Sequence, residues 1–179
     1  MTHRLFIAIR PPEAIRSGLI DLMEGIDNAR WQDDDQLHLT LRFVGDVDAH
    51  LADDLAEALA RVRFAPFDVA IEGFSCFARR GRVHTLFAQI GPNAELAHLQ
   101  RRVERVCVET GLAPEQRKYH PHITIARLNQ SSGPVEPFLA SSQIPVERRW
   151  RVGDFALYES HLRAHGAFYE TVVRYPASE

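Results

Sequence analysis

Cysteine is nearly absent. Cys76 and Cys107 are the only two in 179 residues, which excludes a disulfide framework and a four-cysteine zinc site. Cys107 falls in a helical pattern and reads as a small buried residue. Long hydrophobic runs are also missing, and nothing nears the roughly 18 apolar residues of a membrane span. The N-terminal run at 5–9 stops at Arg10-Pro11-Pro12, too short for a signal-peptide core. Charge of one sign does not dominate either: 21 basic and 24 acidic side chains leave a formal charge of -3. A protein that coats nucleic acid by bulk charge is excluded, while a local basic site is not. There is no low-complexity run and no dividing linker. The expectation is a cytoplasmic, membrane-free monomer with reduced thiols.

What is present is an ordinary globular balance, 45% hydrophobic and 25% charged, which argues against wholesale disorder. Residues 3–9 form an apolar run that reads as a buried strand. Pro11-Pro12 can open a helix, because the first turn has no use for the missing N–H. Ile15, Leu19, Leu22, Met23 and Ile26 then share one helical face. A strand is predicted at 37–44, a helix through Leu51, Leu55, Leu59 and Val62, and strands at 67–71 and 83–90. A third helix carries Leu96, Leu99, Val103 and Val106, with Gly111 placed to end it. Residues 120–128 read as a strand, 129–145 as a loop, and 151–159 and 168–175 as two closing strands with a turn over 161–166. The order β-α-β-α-β-β-α-β-β-β has too few helices for a doubly wound parallel sheet. It predicts an α+β fold with largely antiparallel sheets.

One internal echo stands out. Residues 38–43 read His-Leu-Thr-Leu-Arg-Phe, and residues 122–127 read His-Ile-Thr-Ile-Ala-Arg. Both are His-x-Thr strings within strand-like runs. Side chains alternate along a strand, so Leu37, Leu39, Leu41 and Phe43 share one face and His38, Thr40 and Arg42 the other. In the second copy His120, His122 and Thr124 oppose Ile123 and Ile125. If the two strands lie together about a pseudo-two-fold axis, two imidazoles and two hydroxyls face one cavity. That set suits phosphoester chemistry. An imidazole titrating near 6.5 can take a proton from water or give one to a leaving oxygen. Threonine hydroxyls can donate to phosphoryl oxygens as charge builds there, and an arginine can clamp a phosphate. The residues demand neither metal nor cofactor, and none is expected.

The two motifs resemble those of the two-histidine (2H) phosphoesterases. Over nearly its whole length the chain resembles the RNA 2',3'-cyclic phosphodiesterase branch, also called 2'-5' RNA ligases. Residues 4–12, 37–45 and 120–127 match that branch's opening strand and its two motifs, and 158–169 its closing hairpin. The resemblance implies one domain over 1–179, bilobal, its two interleaved lobes being pseudo-symmetric antiparallel sheets with flanking helices around a central cleft. It implies a role in RNA processing: metal-independent hydrolysis of 2',3'-cyclic phosphate ends of RNA or oligonucleotides to 2'-phosphates. His38 and His122 carry over as the catalytic pair, with His38 assigned as acid and His122 as base, although the reverse uses the same atoms. Thr40 and Thr124 carry over as phosphate ligands and Arg127 as a substrate contact. By strict alternation Arg127 lies opposite His122 and Thr124, so it reaches the cleft only if the strand ends, twists or bulges. Arg42 has the matching parity.

Other features carry plainer readings. Asp33-Asp34-Asp35 would repel RNA unless it points away. His161 and His165 are four apart, but their segment reads as a turn. Arg79, Arg80 and Arg82 can guide an RNA backbone or simply be solvated. Phe74 and Phe77 can stack on a base, with core packing expected for at least one. Two alternatives stay open: a phosphodiesterase of small cyclic phosphates, such as a cyclic nucleotide or ADP-ribose cyclic phosphate, and an RNA ligase or end-binding protein that does not hydrolyse.

Overall fold

A computed structural model describes residues 1–178. Among them the chain forms β1 (Thr2–Ile9), α1 (Glu13–Ile20), β2 (Arg30–Trp31), β3 (Leu39–Asp48), α2 (Ala49–Leu59), β4 (Phe67–Arg79) and β5 (Arg82–Ile90). Then come α3 (Ala94–Thr110), β6 (His122–Arg127), α4 (Glu136–Ser141), β7 (Arg149–Val152), β8 (Asp154–Arg163) and β9 (Gly166–Pro176). None of these helices is long and apolar enough to cross a membrane.

The sheet order is β7-β4-β5-β6-β3-β1-β8-β9, with β2 added on β6, and every recorded pairing is antiparallel. The path divides into two four-stranded halves, β7-β4-β5-β6 and β3-β1-β8-β9. They meet at one paired position, Leu39 with Ile123. The bilobal α+β architecture expected from the sequence is therefore realised as two sheet halves that join edge to edge.

Burial explains the local choices. β1 is apolar without a break from Leu5 to Ile9 because both faces of that stretch are covered: Leu5, Ile7 and Ile9 enter the main core, while Phe6 and Ala8 form a smaller cluster with Ala156 and Tyr158. α3 sinks Leu96, Leu99, Val103 and Cys107 and packs beside α2. Its ends follow capping chemistry: the Asn93 side chain accepts from the Leu96 N–H at 2.8 Å, and Gly111 takes a left-handed φ of 115°. Cys107 is fully buried, and burial raises its thiol to about 12.

Several expectations change, beginning with the strand expected at 67–71, which as β4 runs on to Arg79. α1 stops at Ile20; Gly25 adopts a φ of 86°, which no helix can continue, and Ile26 reaches the core from a turn. The segment 129–145 contains α4, whose Phe138 is buried against Trp31 at 5.9 Å and Phe74 at 5.6 Å. The strand expected at 151–159 divides at Gly153: β7 pairs with β4 in one half and β8 with β1 in the other. That crossing interleaves the halves in sequence. The final turn shrinks to Ala164-His165, so His161 is a strand residue.

Candidate active site

The single pair joining the halves falls on the middle residue of each motif. Leu39 of His38-Leu39-Thr40 faces Ile123 of His122-Ile123-Thr124. Antiparallel geometry then sets His38 beside Thr124 and Thr40 beside His122, all four on one face. Leu39 and Ile123 turn the other way and are fully buried.

The next residues depart from simple alternation. Along β5–β6, Thr85 pairs with Arg127 and Leu86 with Ala126, but Phe87 pairs with Thr124, so Ile125 has no partner. Along β1–β3, Phe6 pairs with Phe43 and Ile7 with Arg42, but Ala8 pairs with Thr40, so Leu41 has none. A one-residue bulge thus stands directly after each His-x-Thr, and it reverses the parity of the residues beyond it. Thr85, Phe87 and Gln89 share a face, so their partners Arg127, Thr124 and His122 do too. Arg127 joins the motif face and donates to the Thr85 hydroxyl at 3.0 Å. Arg42 is turned away from it. It is 8% exposed, bonds Glu104 at 3.2 Å and donates to the Ala113 carbonyl at 2.6 Å. Its place beside the site is taken by Phe43, which is 59% exposed.

The two histidines sit in different surroundings. His38 is 6% exposed and ringed by Phe6, Tyr158 and Tyr169, whose centroids lie 5.7, 4.6 and 5.4 Å away, all edge-on. Neither ring nitrogen has a hydrogen-bond partner among the described residues. Burial lowers its pKa to about 4, and the Arg10 and Arg16 charges add to the shift, while the nearby Gln36 carbonyl opposes it. His122 is half-buried between Phe77 and Phe87, each 5.0 Å away. Its pKa is also lowered, chiefly by burial. Its Nδ1 donates to the His120 carbonyl at 2.6 Å, which leaves Nε2 as the open nitrogen.

A cleft of about 520 Å³ opens beside this face, lined by Thr40, Phe43, Phe77, His84, Lys118 and His122, among others. His38, Thr124 and Arg127 do not line it, whereas Arg42 with Glu104 and Glu115 reaches its far wall; Tyr169 and the rest of the aromatic ring cover the His38 imidazole. A second hollow, formed by Arg79, Arg80, Arg82 and His84, adjoins the first through His84. Of the two phenylalanines singled out in the sequence, Phe77 lines the cleft and Phe74 packs on α4. The acidic run is engaged elsewhere: Asp34 binds Arg10 at 3.1 Å and Arg16 at 2.9 Å, and Asp33 caps a short 3-10 turn with Gln36. Thr85 escaped the sequence reading because its strand carries no motif. That reading sets Phe43 on the apolar face of its motif strand, and Tyr158 and Tyr169 enter it only as part of the closing hairpin, without a role at the site.

Comparison with known proteins points the same way as this geometry. The family described as the 2'-5' RNA ligase superfamily matches residues 11–164. The chain belongs to that superfamily. Among its relatives, an RNA 2',3'-cyclic phosphodiesterase of Aeropyrum pernix is 32% identical over 149 residues, 82% of this chain and 85% of that protein. One from Thermus thermophilus is 33% identical over 187 residues, covering 96% and 89%. The structure of E. coli LigT complexed with 3'-AMP superposes over the full length of both chains with a TM-score of 0.82 and 25% identity. The 2H resemblance read from the two motifs thus agrees with a family match that spans both.

Proposed function

We propose that this superfamily member is a phosphodiesterase that hydrolyses 2',3'-cyclic phosphate ends of RNA to 2'-phosphomonoesters. The observation that carries the reading is the junction of the two halves, where both His-x-Thr motifs meet at their central residues on one face. The chain acts as a single domain and as a monomer, because each lobe of one chain supplies one histidine. The free thiols of Cys76 and Cys107 fit a reducing cytoplasm.

The mechanism we infer assigns His122 as base. Its Nδ1–H is committed to the His120 carbonyl, so the Nε2 lone pair is free to take a proton from water. The water oxygen attacks phosphorus in line with the 3'-oxygen, the P–O3' bond breaks, and His38 as imidazolium delivers a proton to that oxygen. One water is consumed, leaving a 2'-phosphate and a 3'-hydroxyl. His38 is neutral at rest because it is buried. A phosphate anion beside Thr124 restores its basicity by charge attraction, provided Tyr169 moves aside. Thr40 and Thr124 donate to the phosphoryl oxygens. Arg127, steadied by Thr85, supplies a fork of charge where negative charge builds.

The cleft volume suits one terminal nucleotide, and the adjoining arginine hollow gives the phosphates behind it a track. The size of the cleft also fits a small cyclic phosphate as substrate. kcat/KM measured on a cyclic mononucleotide and on a cyclic-ended oligomer separates these. A marked preference for the oligomer supports the RNA reading, and equal or better use of the mononucleotide overturns it.

A further inference from the structure

The back of the closing hairpin carries a group of side chains that the hydrolysis does not use. Along β8, Tyr158 and Ser160 face the cleft side, where Tyr158 packs on His38. Glu159 and His161 alternate to the opposite face. Glu170 of β9 sits directly across from Glu159 in the ladder. Two carboxylates in that relation repel one another. Among the described ion pairs their partners are imidazoles alone: His161 Nε2 lies 3.0 Å from Glu170 and 4.0 Å from Glu159, and His3 Nδ1 lies 2.8 Å from Glu159. The nearby Arg163 is engaged over the Phe168 ring, 3.8 Å from its centroid.

We propose that this outer face binds a divalent transition-metal ion of the zinc class through His161 Nε2, Glu159 and Glu170. One ligand atom from each of the three lies within 4.8 Å of the others. Around zinc, with bonds of about 2.0–2.2 Å, neighbouring donor atoms stand roughly 3.3 Å apart, so a small side-chain adjustment closes the set. Imidazole with carboxylates is a donor set that zinc accepts, and three protein ligands leave a fourth position for water. His3 is the positioning residue. By donating to the other oxygen of Glu159 it orients that carboxylate toward the ion, as outer hydrogen bonds do in metal sites. His165, the other histidine of the sequence pair, is exposed at the turn and takes no part. The ion neutralises the cross-strand carboxylates and staples β8 to β9. Those strands carry Tyr158 and Tyr169 on their other face, so the staple firms the wall that covers His38.

The test uses the full chain, stripped with a chelator and then titrated with zinc chloride against a chromophoric zinc indicator. One ion per chain is expected, with affinity reduced by at least about tenfold in both His161→Ala and the near-isosteric Glu170→Gln. His50→Ala, which removes an exposed imidazole on α2, is expected to leave binding unchanged. Zinc should raise the melting temperature of the wild type but not of His161→Ala. Absence of saturable binding overturns the proposal. So does binding that survives both substitutions, which would place the ion elsewhere, such as at His120 and His122.

Discussion

The cage of Phe6, Tyr158 and Tyr169 decides how His38 responds to pH. Its pKa in the folded chain is about 4, against about 6.5 for an unfolded imidazole. Between those values the unfolded chain binds a proton that the folded one refuses. The stability this residue contributes is complete above about pH 6.5 and is lost as pH falls through about 4, at most about 3 kcal/mol. Urea unfolding at pH 7 and 4.5 checks this. The wild type should weaken more steeply than His38→Gln, whatever the baseline of the variant. Activity carries a related signature. In the free enzyme both imidazoles hold protons less well than usual, and bound phosphate restores His38. The alkaline limb of kcat/KM is therefore expected at lower pH than that of kcat; coincident limbs would count against the cage. Thr85 acts one step further out. Thr85→Val leaves the Arg127 guanidinium unanchored and should cut kcat/KM severalfold, with recovery in Thr85→Ser. An Arg127→Lys enzyme should not recover, since an ammonium lacks the fork.

At the scale of elements, the paired bulges are the feature least visible in the sequence. Leu41-Arg42-Phe43 and Ile125-Ala126-Arg127 both look like uninterrupted alternation, and alternation favours Arg42 over Arg127. The unpaired residue just after each motif, Leu41 and Ile125, reverses that choice, and nothing in the apolar pattern marks it. Other misses have similar causes. α4 spans only six residues, too short to show a period, and its Phe138 identifies itself by contacts rather than spacing. The helical rhythm through Leu22 and Met23 continues past the real end of α1 because turn residues can bury apolar side chains too. What was legible was long and periodic: α2, α3, β1, β5 and the two motif strands. Two predictions belong here. Phe138→Ala should cost about 3–5 kcal/mol in denaturant unfolding by emptying the contact with Trp31 and Phe74. Replacing Arg79, Arg80 and Arg82 by Gln should weaken RNA binding evenly across sequences. Each lost phosphate contact should flatten the salt dependence by about 0.7 in the log–log slope, while turnover of a mononucleotide stays unchanged.

For the whole molecule, the doubled motif already gives the architecture its reason. Two equivalent strands need two equivalent half-sheets, and the site has to lie where they meet. The element order supported an antiparallel α+β fold, but not the crossing at Gly153 that sends β7 to one half and β8 to the other, because a lone glycine between Val152 and Asp154 marks a break without saying where the chain goes next. The central claim is that a single face, built from both halves, does the chemistry with two imidazoles. The direct test incubates chelator-treated protein with an RNA oligomer ending in a 2',3'-cyclic phosphate, beside well-folded His38→Ala and His122→Ala variants, and identifies the terminal phosphate. The account predicts a 2'-phosphate from the wild type and a rate loss of about 10²–10⁴ or more in each variant. A 3'-phosphate, or near-normal turnover in either variant, would contradict it.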